Sequence, residues 1–144
     1  MILHIENRLR YYTGIIDALG PDDIFVFGSN LSGIHGRGAA RTALDRYGAK
    51  FRQGRGPQGR SYAIPTKDRD VRTKLSLERI KDEVDRFVEY AAGRVELRFL
   101  ITEIGCGYAG YDPFDIAWMF RGGLDLDNLV FPERIALILL ANGK

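Results

Sequence analysis

The chain has 144 residues and a formal net charge of +2, with 45% hydrophobic and 28% charged residues. That is an ordinary globular composition, long enough to bury a core as one domain spanning residues 1–144 and too short for two. The longest uninterrupted apolar run, Ile135 to Ala141, has seven residues, far below a membrane span.

Glu6, Arg8 and Arg10 leave no room for the apolar region of a signal peptide. The lone cysteine, Cys106, excludes an intramolecular disulfide and fits a reducing cytosol, so a cytoplasmic protein is expected. Seventeen glycines exceed the usual ~7%. No low-complexity tract absorbs them, so each needs a reason at its own position.

In chain order, Met1 to Leu19 reads as a short opening segment followed by a helix, with Leu9, Tyr12, Ile16 and Leu19 on one face. Gly20-Pro21 breaks it. Ile24-Phe25-Val26-Phe27 is a continuous apolar run, as in a strand buried on both faces, ending at Gly28-Ser29-Asn30. An alanine-rich helix is expected from Gly36 to Tyr47, and a short strand from Ser61 to Ile64, stopped by Pro65. Leu77, Ile80, Val84, Phe87, Val88 and Ala91 keep helical spacing behind Ser76 as N-cap. Leu97 to Ile104 is a third strand. Asp112-Pro113 then opens a helix, with an acceptor side chain before proline at the first helical position. Leu129 to Phe131 reads as a strand, and from Pro132 onward helix and strand are both open.

Apolar strands alternating with amphipathic helices imply a three-layer α/β domain with a mostly parallel central sheet flanked by helices. In such sheets ligands sit beyond the carboxyl ends of the strands. Two of the strongest strands run directly into glycine-rich loops. The first is Gly28-Ser29-Asn30-Leu31-Ser32-Gly33-Ile34-His35-Gly36-Arg37-Gly38-Ala39-Ala40. Its glycines admit close approach of an anion, and the following helix offers unpaired N–H groups. It is neither a Walker loop nor a GxGxxG fingerprint, and a tightly packed helix start would read the same way. The second, Gly105-Cys106-Gly107-Tyr108-Ala109-Gly110-Tyr111, suits a phosphate cradle flanked by rings; tyrosines around a turn also serve as core plugs. Together the loops suggest a bipartite cleft for a diphosphate-linked nucleotide.

Phe27-Gly28-Ser29-Asn30, Gly36-Arg37-Gly38-Ala39-Ala40 and Ile104-Gly105-Cys106-Gly107-Tyr108-Ala109-Gly110-Tyr111 resemble a macrodomain. More narrowly, they resemble small macrodomain-like proteins of bacteria and their phages. The resemblance spans roughly Asp23 to Phe120 and includes Gly59 to Lys67. It implies the macrodomain fold and binding of ADP-ribose or a related NAD-derived nucleotide, free or on an ADP-ribosylated protein. It also implies that Asn30 orients the distal ribose, that Gly28, Ser29, Gly36, Gly38 and Ala39 lie beside that ribose, and that Gly105 to Tyr111 hold the diphosphate. Hydrolysis of ADP-ribose from an acceptor, with water aligned by the bound diphosphate, and binding without turnover are both open. The chain departs from the pattern at three places. Phe27 or Gly28 replaces the motif's first asparagine. Ala109 stands where the second loop usually has phenylalanine, leaving ring packing to Tyr108 or Tyr111. The adenine-recognising aspartate has only Asp22 and Asp23 as nearby candidates.

Asn30 is also a common turn former. His35 is a candidate acid–base catalyst from its pKa range, against the reading of a merely exposed loop histidine. Cys106 is either a thiolate at a helix start or a small buried thiol without a histidine partner, and Asp112 reads as a helix cap. No metal-ligand spacing and no cofactor motif is legible. Finally, Gly36 to Arg60 carries Arg37, Arg41, Arg46, Lys50, Arg52, Arg55 and Arg60 against Asp45 alone. This stretch is the basis of an alternative function, nucleic-acid binding along Arg37 to Arg60. It reads equally as a solvated loop balanced by the acidic helix Glu78 to Glu89. Gln53 to Arg60 reads as a mobile lid or arm.

Overall fold

A computed structural model describes residues 1–142. The apolar tetrad Ile24 to Phe27 lies in the longest strand, β3 (Asp23–Asn30), preceded by β1 (Ile2–Glu6) and β2 (Leu9–Thr13). The chain continues through α1 (Gly38–Arg46), β4 (Gly56–Gln58), β5 (Ser61–Lys67), α2 (Leu77–Ala92) and β6 (Arg98–Ile101). Then follow α3 (Pro113–Ala117), a 3-10 segment (Trp118–Gly123), β7 (Leu129–Pro132) and α4 (Glu133–Asn142). One seven-stranded sheet runs β1-β2-β7-β6-β3-β5-β4. Its five central strands are mutually parallel, and the edge strands β1 and β4 are antiparallel to their neighbours.

Side chains of a strand alternate between faces, so β3 feeds two cores. Val26 joins Tyr62, Ile64, Phe99, Ile101, Leu129 and Phe131 beneath α2, α3 and α4. Phe25 and Phe27 point the other way, with Ala63, Leu100 and Val130, beneath Ala40 and Ala43 of α1. Helices on both faces of a mostly parallel sheet are the expected α/β architecture. Burial of each such large apolar side chain is worth about 1.5–3 kcal/mol. Among the described residues no helix is long and apolar enough to cross a membrane.

Three expectations fail for identifiable reasons. Residues 2–13 form a hairpin instead of the helix read across Met1 to Leu19. Asn7 and Arg8 both take positive φ (49° and 69°), as a two-residue turn matching strand twist requires. Leu9 and Tyr12, spaced like helix neighbours, lie on opposite faces of β2 and belong to different cores. Pro65 does not stop β5, which continues to Lys67. The outer neighbour β4 pairs only as far as Ala63, so no ladder bond on that side needs the proline's absent N–H. Gln53 to Arg60 is no mobile arm: it contains β4, and Gln58 is buried there, its side chain bonded to Lys50, Gln53 and Gly56. From Pro132 onward, the open choice resolves as helix α4.

Candidate functional site

Successive connections leave the sheet on opposite faces at one point. β3 leads into α1 under one face, while its neighbour β6 leads into α3 under the other. The two loops therefore diverge and open a crevice beyond the carboxyl ends of these strands. A cleft of about 690 Å³ lies there, lined from both glycine-rich loops. Gly28, Ser29, Asn30, Gly36, Gly38 and Ala39 supply one wall, and Gly105, Gly107, Tyr108 and Ala109 the facing one.

The backbone of both walls is open to a ligand. Helix α1 begins without a side-chain cap and with no acidic residue in its first turn. The N–H groups of Gly38, Ala39 and Ala40 precede its first intrahelical acceptor, the Arg37 carbonyl taken by Arg41. In the second loop the turn closes on itself: Tyr111 N–H donates to Gly105 O at 2.8 Å, and Gly110 N–H to Gly107 O at 3.0 Å. The amides of Gly107, Tyr108 and Ala109 are left without a protein acceptor among the described residues. Six unpaired backbone donors thus border one cleft. The start of α3, by contrast, is closed by its own capping box, with Asp112 accepting from Phe114 N–H and Asp115 from Asp112 N–H.

Side chains make the cleft positive. Arg37, Lys67 and Arg72 line it, and none has a carboxylate partner among the described residues. Arg37 and Lys67 both lie against the Tyr108 ring, at 5.2 and 5.6 Å from its centroid. Glu103 is the one carboxylate among the described lining residues. Arg134 grips it through two 2.6 Å bonds, which hold its carboxyl below the usual range against the opposing effect of burial.

Other sequence-derived candidates lie elsewhere. His35 is buried, not exposed, and does not line the cleft; its Nε2 donates to Gln53 O at 3.1 Å and its ring meets Phe27 edge-on. That is the packing of a core histidine. Asp23, a candidate for adenine recognition, sits at the end of β3 opposite the first glycine loop, ion-paired with Arg98, and does not line the cleft. Cys106 is half-buried with its thiol on Ile104 O, and burial pushes it up to about 11, so it is no thiolate. Tyr111 and Gly110 support the second loop from behind: Tyr111 Oη donates to Leu75 O at 2.6 Å. Asn30 lines the cleft, but both ends of its amide engage Ile34, so it braces the loop.

The basic stretch is largely drawn into the fold. Arg41 pairs with Asp45, Arg55 with the buried Glu83 of α2, and Arg46 and Arg60 donate to the carbonyls of Asp17 and Gly20. Gln53 and Gly54 press on the first loop, where Ser29 Oγ donates to Gly54 O.

Thr66, Lys67, Val71, Arg72, Thr102 and Glu103 also line the cleft and were not read from the sequence as site residues. Thr66 and Lys67 end β5, while Thr102 and Glu103 follow β6. Polar residues directly beyond apolar strands were the available signal. Val71 and Arg72 come from the following turn, where Val71 holds φ +59°. Asp70 fastens that turn by accepting from Thr73 Oγ1 and from the Arg72 and Thr73 N–H groups, which hold its carboxyl at about 2. Among the described residues, no three His, Cys, Asp or Glu side chains group as metal ligands. No known protein-family model matches the chain, and no curated protein does.

Proposed function

We propose that the chain is a macrodomain-like module and that its cleft binds ADP-ribose or a closely related NAD-derived nucleotide. The observation that carries this reading is that six residues lining one cleft, at the start of α1 and in the second loop, have backbone N–H groups without a protein acceptor, beside three cations without a carboxylate partner among the described residues. Amides fixed in place bind an anion without reorganising, and a helix N-terminus adds its dipole. Donors on two facing walls fit a diphosphate better than a single phosphate. Sugar and base then extend to either side, where Tyr108, Ile34 and Val71 offer ring and aliphatic surface. A nucleotide presented on an ADP-ribosylated protein engages the same groups. Binding is the activity assigned; Glu103, held by Arg134, is too firmly ionised to serve well as a base.

The test is isothermal titration with ADP-ribose, NAD and single-stranded DNA, each at low and high salt, beside melting scans. A ligand held only by the folded chain at 100 times its dissociation constant adds about 2.7 kcal/mol of stability. ADP-ribose is expected to raise the melting temperature with little salt dependence. Silent calorimetry and an unmoved transition would remove this reading, and steeply salt-dependent DNA binding would favour the nucleic-acid alternative. Release of ADP-ribose from a modified protein, measured in parallel, separates a binder from a hydrolase.

A further inference from the structure

The tip of the first loop, Ser32-Gly33, is held between two basic turns outside the cleft. On one side Arg52 N–H donates to Gly33 O at 2.9 Å, and on the other Ser32 Oγ donates to Arg69 O at 2.6 Å. A Cβ at Gly33 would lie 2.2 Å from Gln53 N, so only glycine lets the first turn approach this closely. Lys74 ends the second turn, bridged to Lys67. Arg52, Arg69 and Lys74 are exposed, have no carboxylate partner among the described residues, and do not line the cleft. The acids of this rim, Asp68 and Asp70, are turned onto backbone instead. Asp68 accepts from Arg69 N–H at 2.7 Å, and Asp70 from the Arg72 and Thr73 N–H groups at 2.9 Å. Carboxylates committed to their own turn leave the cationic head groups to an outside anion.

Rings stand among these cations. Arg52 lies over Phe51, 5.4 Å from its centroid, and Lys74 over Tyr111 at 4.4 Å. Phe51 is 56% exposed and belongs to neither core cluster. An exposed ring beside a guanidinium plane is a stacking surface for an unpaired base, with a phosphate donor next to it. A duplex keeps its base faces inside and would touch only the cations. A carboxylate-rich peptide would likewise leave Phe51 unused. A single strand engages both.

We propose that this rim binds a single nucleic-acid strand beside the cleft, with phosphates on Arg52, Arg69 and Lys74 and a base stacked on Phe51. Because these cations stand outside the cleft, strand and cleft ligand are held at once. The test is fluorescence anisotropy of a labelled oligothymidylate of about 12 nucleotides, within the usual span of such sites. A duplex of that length and polyglutamate serve as competitors, and each titration is run with and without saturating ADP-ribose. Three phosphate contacts predict a log–log salt slope of about −2 for the single strand. Phe51→Ala should weaken binding about tenfold. Arg52→Gly accepts the local φ of +72° freely, so it should keep the melting temperature while reducing the salt slope by about 0.7. Absence of strand binding at low salt, equal competition by duplex or polyglutamate, or wild-type affinity in both variants would each overturn the proposal. So would displacement of the strand by ADP-ribose, which would put it inside the cleft. Silent calorimetry with ADP-ribose beside intact strand binding removes the cleft reading and leaves this one standing.

Discussion

Asn30 and Ile34 are joined twice: Asn30 Nδ2 donates to Ile34 O at 2.8 Å, and Asn30 Oδ1 accepts from Ile34 N–H at 3.0 Å. The pair closes the first turn after β3 and fixes the path by which the chain reaches α1. Each bond is worth about 0.5–1.5 kcal/mol net, so Asn30→Ala should lose about 2 kcal/mol in urea denaturation. Loosening of the wall should lower ADP-ribose affinity about tenfold by calorimetry. Asn30→Asp retains the acceptor for Ile34 N–H but sets a carboxylate against Ile34 O, so it should restore only part of the loss. An affinity unaffected by a fully destabilised turn would separate Asn30 from the cleft.

Gly107 and Gly54 predict opposite phenotypes. Beyond its own chain neighbours, no atom lies within 4 Å of the position a Cβ would take at Gly107. Gly107→Val should therefore fold with stability changed by less than about 0.5 kcal/mol. Its branched side chain stands before three unpaired amides, and loss of those contacts should cost about 100-fold in affinity. At Gly54 a Cβ would lie 2.1 Å from Asn30 O, so Gly54→Ala should destabilise by about 3 kcal/mol as backbone is forced apart. Melting and titration of the two variants side by side test the assignment of one glycine to the ligand and the other to the fold.

Val71 holds a β-branched side chain at φ +59°, a conformation that costs about 1–2 kcal/mol for an L residue. Val71→Gly removes that cost but loosens the unfolded chain by about 0.4–1 kcal/mol. The balance predicts a gain of about 0.5–1 kcal/mol, visible as a raised melting temperature. The same change strips an aliphatic surface from the cleft, so affinity should fall while stability rises.

Asp23 predicts an acid-dependent loss of stability. Burial opposes its ionisation, but two bonds from Arg98, at 2.6 and 2.9 Å, and one from Gly20 N–H outweigh it and hold the carboxyl below its ordinary value. A carboxyl depressed in the folded state contributes stability fully above its unfolded pKa of ~3.9, and loses it as pH falls through the folded value. Asp23→Asn should therefore be less stable by about 2 kcal/mol at neutral pH. The gap between variant and wild type should close as pH drops below ~4, which denaturation at two pH values reads directly.

Strands β3, β5, β6 and β7 and the two glycine loops were legible because their signals are local: short apolar runs, ended in β3 by glycine and asparagine. The hairpin at Asn7-Arg8 was not, since neither residue is the glycine that usually marks positive φ, and Leu9, Tyr12 and Ile16 mimic a helical stripe. His35 illustrates a second limit. Its burial depends on Gln53 and Phe27, contacts that no window around residue 35 contains. Arg72 and Glu103 enter the cleft from separate segments, and only the sheet order brings them beside the first loop. Glycine content announced the walls of the site, whereas its charged lining depended on topology.

Residues 10–12 of β2 pair with residues 130–132 of β7, an early segment held by a late one. On the ribosome, β3, β5 and β6 with α1 and α2 emerge complete while β2 still lacks its neighbour. At ~5–20 residues per second the hairpin waits on the order of 10 s with both outer edges bare. The cleft walls from β3 and β6 can be assembled in a nascent chain whose N-terminal hairpin is still undocked. Synthesis of β7 and α4 then locks the oldest part of the chain last.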